Sequence, residues 1–290
     1  MIIINQVFHF KNTKKNIYWM KNIFYTLLIT VVLSSCSEYQ KALKSEDIAT
    51  KFKMGTELYD AGKYGKANRL FAQIVPQYRG KPQAEKLMYM YSNSFYKMKD
   101  YYLAGYQFER FADQYPKSEK AEEALFLGAK SFYQLSPVYS KEQKETKTAI
   151  EKLQMFINTY PDSEYLPEAN ILIKELDYKL ERKAFEIAKL YNQIANFESE
   201  DYEASIKAFD NFLVEYPGTT FREDALYYRF DSAYKLGINS IEYKRKGRIE
   251  TAIKYYDAFY KAFPESQYST EAEKMKNELQ AAIQTYSTQS

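Results

Sequence analysis

The stretch AGYQFERFADQYP, residues 104–116, decides the fold of this chain. Ala104, Phe108, Phe111 and Tyr115 are spaced four, three and four residues apart, and Pro116 follows. On a helix those side chains fall on one stripe, and a proline, lacking an amide hydrogen, stops the helix behind them. The phrase recurs as Ala67, Phe71, Ile74, Tyr78; as Ala149, Leu153, Phe156, Tyr160, Pro161; as Ser205, Phe209, Phe212, Tyr216, Pro217; and as Ala252, Tyr256, Phe259, Phe263, Pro264. Five copies of one amphipathic helix predict a chain built from a repeated helical unit. Strands are disfavoured, because alternating β-branched runs are scarce and nine Gly and eight Pro in 290 residues punctuate too little for many short strands.

Working outward, the helices that precede the phrases repeat as well. YSNSFYKM (91–98), GAKSFYQL (128–135) and RFDSAYKL (229–236) share Ser, an apolar residue, Tyr, a polar residue and an apolar residue, and Gly55 to Gly62 matches more loosely through Leu58 and Tyr59. Helix pairs with small residues at the crossing and a large aromatic between them resemble tetratricopeptide repeats. The expected fold class is therefore all-α: a right-handed α-solenoid of about five helix pairs, over 46–80, 82–117, 119–162, 163–218 and 219–265, with 266–287 as a C-terminal capping helix. Two insertions are expected as loops, Ser136–Thr148 and Ile238–Gly247. Glu164–Phe197 lacks Gly and holds Pro only at 167, so it reads as one long helix bracing two halves, 46–162 and 163–290.

Composition limits the chemistry. The chain carries 41 basic and 38 acidic side chains, but residues 1–35 hold four Lys and no acid, so the remainder has one acid in excess. The single His9, Trp19 and Cys36 all lie at or before position 36. The body therefore has no imidazole for base catalysis, no thiol nucleophile, and neither zinc ligands of the Cys/His type nor a disulfide framework. Carboxylate pairs such as Glu122/Glu123 and Glu223/Asp224 recur at helix starts, where negative charge complements the dipole, so they argue for capping and not for glycosidase chemistry. No cofactor, metal, enzyme activity or nucleic-acid partner is expected.

The first 35 residues read as a signal peptide. From Met20, the expected start, Lys21 is followed by eleven mostly apolar residues, Ile23–Leu33. That run is shorter than the roughly 20 residues a spanning helix needs. Leu33-Ser34-Ser35-Cys36 resembles the bacterial lipoprotein processing box, which implies acylation, including palmitate, of Cys36 as the mature first residue. More than one acyl chain would hold the protein stably on a membrane. Ser37 in place of Asp implies export to the outer membrane, and 36–45, with Glu38 its only acid before Glu46, reads as a short polar tether to the periplasmic face.

With FERFADQYPKSEKAEEA (108–124) and FDNFLVEYPGTTFREDA (209–225), the lipoprotein box and five repeats, the chain resembles the BamD family of outer-membrane assembly lipoproteins over essentially its whole mature length. The resemblance implies a scaffold that docks on the BamA-type barrel protein with accessory lipoproteins and receives unfolded barrel precursors. No short motif carries contact residues across. From the residues alone, pairs seven apart line one face of each first helix: Phe52/Tyr59, Tyr89/Tyr96, Phe126/Tyr133 and Tyr227/Tyr234, with Thr56, Asn93, Lys130 and Asp231 between them. In the first three repeats such a ladder would accept an extended, aromatic-rich peptide. The competing reading is that the rings pack between repeats. Lys244, Arg245, Lys246 and Arg248 form the densest basic run, read either as a partner-docking patch or as a solvated loop. A different periplasmic repeat lipoprotein, serving envelope constriction or nutrient uptake, is the alternative function.

Overall fold

The computed structural model describes residues 38–195 and 199–287, and among these every regular element is a helix. Contacts divide the chain into two compact units between Gln134 and Leu135. Sequence reading placed the division after residue 162. It falls instead inside the third predicted pair, leaving that pair's first helix in unit 1 and its phrase helix in unit 2.

Unit 1 contains α1 (residues 38–44), α2 (Ile48–Asp60), α3 (Tyr64–Ile74), a 3-10 turn (Val75–Tyr78), α4 (Ala84–Lys97), α5 (Tyr101–Gln114) and α6 (Ala121–Leu135). The Asp47 carboxylate opens α2 by accepting from the Ala49 and Thr50 amides at 3.1 and 3.0 Å, satisfying donors the helix cannot. Gly62, at φ +71°, makes the left-handed turn into α3. The phrase residues Ala67, Phe71 and Ile74 are fully buried and pack with Leu58, Leu87 and Met90. Gly55 lets α2 approach α3: a Cβ there would lie 2.5 Å from the Phe71 ring. The second core gathers Met88, Phe95, Ala104, Phe108, Phe111 and Ala124.

The expected tether is corrected by α1. Residues 38–44 are helical, and Tyr39 and Ala42, 6% and 3% exposed, join the first core. Their spacing of three puts both on one face, so a short segment with few apolar residues still buries the two that count.

Unit 2 contains α7 (Lys144–Thr159), α8 (Leu166–Ile194), α9 (Ser199–Glu215), α10 (Arg222–Ile238), α11 (Glu242–Ala262) and α12 (Ser269–Ser287). At 1.5 Å per residue, the 29 residues of α8 span about 44 Å. It begins with Pro167 in its first turn, where the missing amide hydrogen costs nothing. Near its other end the buried Asn192 donates to Asp231 Oδ2 at 2.7 Å and Ser232 Oγ at 2.8 Å, while Ser232 and Ser205 hydroxyls pair at 2.9 Å. That network pins α8, α9 and α10 together.

All five phrases are helical. α5, α7 and α11 stop immediately before Tyr115, Tyr160 and Phe263, whose amides still donate back to Phe111, Phe156 and Phe259, and α9 stops before Tyr216. The following prolines end each helix as expected. In the first copy no Pro follows Tyr78; Pro76 instead converts the last turn to 3-10 geometry.

The two insertions come out differently. The loop after α6 is real but runs only from 136 to 143, organised by the buried Gln143, whose side-chain amide donates to the Val138 and Lys141 carbonyls at 2.9 Å each. The predicted loop 238–247 is mostly helix: only residues 239–241 are non-helical, and α11 starts at Glu242. With no Pro and only Gly247 in the segment, nothing stops the helix from extending, and Glu242 suits its N-terminal dipole.

Candidate functional site: the first-helix tyrosines

The first helices α2, α4 and α6 carry the predicted ladder in unit 1, and its members have different fates. Phe52, Tyr59, Tyr89, Tyr96 and Tyr133 are half-buried. Phe126, at 2% exposure, is core and leaves the candidate face. Asn93, at 8%, is likewise buried.

The polar rungs are engaged within the protein. The Asn93 amide donates to the Tyr59 hydroxyl across the gap between α2 and α4. Thr56 donates to the Phe52 carbonyl at 2.9 Å, one turn back on its own helix. Lys130 lies over the Phe126 ring at 5.6 Å. In unit 2 the equivalent Asp231 is paired with Lys235 at 2.7 Å. The polar rungs thus already have partners within the protein, because residues three before the ladder tyrosines sit close enough to bond the helix itself or its neighbour.

The hydroxyls follow the same rule. Tyr89 donates to Glu123 on α6; burial pushes that carboxyl up, but bonds from Lys120 and Tyr89 outweigh it and hold Glu123 below the usual range. In unit 2, Tyr234 donates to Glu278 on α12, and Tyr227 stacks on Tyr268 at 3.9 Å with the rings 8° from parallel. Burial, with Glu278 beside it, pushes the Tyr234 hydroxyl up to about 12. Tyr59 is also raised, mainly by burial, although its bond to Asn93 opposes the shift. Ring contacts complete the packing. Phe52 stacks on Tyr78 at 5.4 Å, Tyr59 meets Tyr64 edge-on at 5.4 Å, and Tyr96 meets Tyr101 and Phe108 at 5.7 and 6.4 Å. What remains for a ligand is a row of partly exposed ring surface, with little unused hydrogen-bonding capacity beside it.

The basic run sits on the first turns of α11. Lys244 and Lys246 are exposed, whereas Arg248 is drawn inward, donating to Ser240 Oγ at 2.7 Å and pairing with Glu203 of α9. Arg248 therefore joins helices, and Lys244 and Lys246 are the members left facing solvent. Sequence reading missed the exposed apolar positions Tyr102, Tyr106, Ile171, Leu190 and Tyr243, at 69, 52, 56, 53 and 80%. Their helical spacing mimics core positions, so no sequence signal separates them. Cys36 lies outside the described residues. No helix among the described residues is long and apolar enough to cross a membrane.

Paired helices repeating with small residues at their crossings and aromatics between them define a helical-hairpin repeat protein. The YfiO family of outer membrane lipoproteins matches residues 45–197 and 193–288, and the chain belongs to that family. The resemblance drawn from the repeat phrases is thereby confirmed at family level. Among solved structures the chain is similar to the TPR2AB domain of yeast Sti1 in its pHSP90 complex, with 14% identity, 80% of this chain and 98% of that chain covered, and a TM-score of 0.37. It is also similar to a DHF58 filament, at 12% identity over 91% of this chain and 97% of that chain, with a TM-score of 0.14. At such TM-scores neither likeness bears on the function. No curated protein matches the chain.

Proposed function

We propose that the protein is a non-catalytic scaffold of the outer-membrane β-barrel assembly machinery, anchored by acylated Cys36 on the periplasmic side. Unit 1 receives unfolded barrel precursors on the half-exposed rings of Phe52, Tyr59, Tyr89, Tyr96 and Tyr133. Unit 2 docks on the BamA-type barrel protein, with Lys244 and Lys246 as candidate contacts, and accessory lipoproteins join the assembly. The observation that carries this reading is membership of the outer membrane lipoprotein family across 45–288. The mechanism is positional: a scaffold bound at once to the insertion site and to the client raises the client's local concentration there. Barrel strands alternate lipid-facing apolar residues, which suit a row of ring faces more than a polar cleft.

The test is a pull-down from detergent-solubilised outer membranes. Recovery of the BamA-type barrel upholds the reading, and recovery only of division or nutrient-uptake proteins overturns it. Tyr96→Phe separates the two roles of that ring: precursor-peptide affinity is retained if the ring face is the contact. Tyr96→Ala should weaken binding and also lower the melting temperature, because its edges support Tyr101 and Phe108.

A further inference from the structure

The turn between α2 and α3 and the turn between α4 and α5 enclose a groove of about 910 Å³ whose lining includes Lys63, Lys66, Arg69, Tyr64, Met98 and Asp100. The three cations are exposed, and none forms an ion pair among the described residues. Asp100, the one acid in the lining, caps α5 by accepting from the Leu103 amide at 3.4 Å, and α3 has no acid in its first turn. Phe95 and Met98 add apolar wall.

This groove adjoins the start of the body. Lys66 Nζ lies 5.2 Å from the centre of the Tyr39 ring, and Tyr39 is fixed in the core. Cys36 is three positions before Tyr39 and two before Glu38, a reach of at most about 7 Å to that residue. An acyl group on Cys36 would therefore keep the bilayer close to the start of the body. The bilayer surface would meet the groove's rim.

We infer that this groove holds the anionic headgroup of a phospholipid beside the anchor, laying unit 1 against the membrane surface. The orientation against the membrane rests on the acylation of Cys36 proposed above; the headgroup site rests on the groove's own lining. Three cations against the single carboxylate of Asp100 leave a net positive lining that attracts phosphate, and Tyr64 and Met98 supply contact for the glycerol and upper acyl region. Orientation follows: a protein held by a lipid and by a headgroup cannot swing freely about its anchor.

The mature protein in vesicles of phosphatidylcholine, with or without phosphatidylglycerol, tests this. Amine-reactive labelling of Lys63 and Lys66 is read against Lys254, an exposed lysine of unit 2. In anionic vesicles the groove lysines should label about fivefold more slowly, the factor matching one cation's attraction to such a surface, and about 1 M salt should abolish the difference. Arg69→Gln should reduce the slowing without moving the thermal midpoint. Equal labelling in both vesicles overturns the inference, as does identical slowing by inorganic phosphate without anionic lipid. The mass of the Cys36 peptide is read separately: an unacylated Cys36 with slowed labelling overturns the anchor and leaves the groove standing.

Discussion

Tyr59→Phe removes one oxygen atom, and the structure says what that atom does. The ring keeps its contacts with Tyr64 and Phe71, at 5.4 and 6.4 Å, so packing is conserved. The loss falls on Asn93, 8% exposed, whose amide would point at carbon where it now has an acceptor. A buried donor left without a partner costs about 1–3 kcal/mol, and 1.4 kcal/mol is about tenfold in an opening equilibrium. Because the bond joins α2 to α4, the cost should appear as weaker coupling between adjacent repeats. Native-state hydrogen exchange reports such local opening. Amides of α2 and α4 should exchange about tenfold faster in Tyr59→Phe, with α9 and α10 unchanged. Asn93→Ala in the Tyr59→Phe background should add less than it does alone, since the shared bond is already gone. Strict additivity, or equal acceleration in both units, would refute the claim that this hydroxyl ties the first two hairpins.

Gly55→Ala should lower the thermal midpoint: the new Cβ meets the Phe71 ring at 2.5 Å, and the about 1–3 kcal/mol of overpacking outweighs the gain of about 1 kcal/mol in helix propensity. Tyr234 ionises near pH 10 when unfolded but is pushed up to about 12 when folded, so its contribution is complete below pH 10 and is lost as pH rises towards 12; alkaline unfolding followed by tyrosinate absorbance should show this, and Tyr234→Phe should remove its share while Tyr216, Tyr227 and Tyr268, raised as well, keep the rest. Arg248→Ala should cost under about 1 kcal/mol in urea denaturation, because Glu203 is half exposed and the pair is screened. Lys244→Glu with Lys246→Glu should leave stability unchanged and weaken capture of the barrel partner; unchanged capture removes the patch from the proposed interface.

The hairpins were legible because their signal is redundant. A spacing of four, three and four, repeated five times and mostly closed by proline, leaves one secondary structure and one buried face. Burial agrees: Phe71, Phe108, Leu153 and Phe209 are all fully enclosed. What escaped was decided by contacts distant in sequence. Nothing local announces that Tyr39 and Ala42 join the first core, or that Arg248 reaches Glu203 45 residues away to hold the start of α11. Segments 38–44 and 242–247 are polar enough to read as loop, and they become helix because a neighbour accepts their few apolar or long side chains.

The candidate face was half legible for a related reason. Tyrosine at the first-helix position satisfies two demands at once, filling the gap between hairpins with its ring and bonding across that gap with its hydroxyl, as Tyr59, Tyr89 and Tyr234 do. Recurrence along the sequence therefore records packing, and whatever ligand uses this face inherits the remaining ring surface. It follows that a client held there is recognised by apolar and aromatic contact, with few hydrogen bonds from side chains on offer. Affinity for peptides should then respond strongly to their aromatic content and weakly to salt, in contrast to the groove beside Lys63, Lys66 and Arg69, where salt should govern. Two surfaces of one unit with opposite salt dependence would separate client binding from membrane contact. If peptide affinity falls with salt as steeply as lysine protection does, the two surfaces are one, and the ring row is only the joint between repeats.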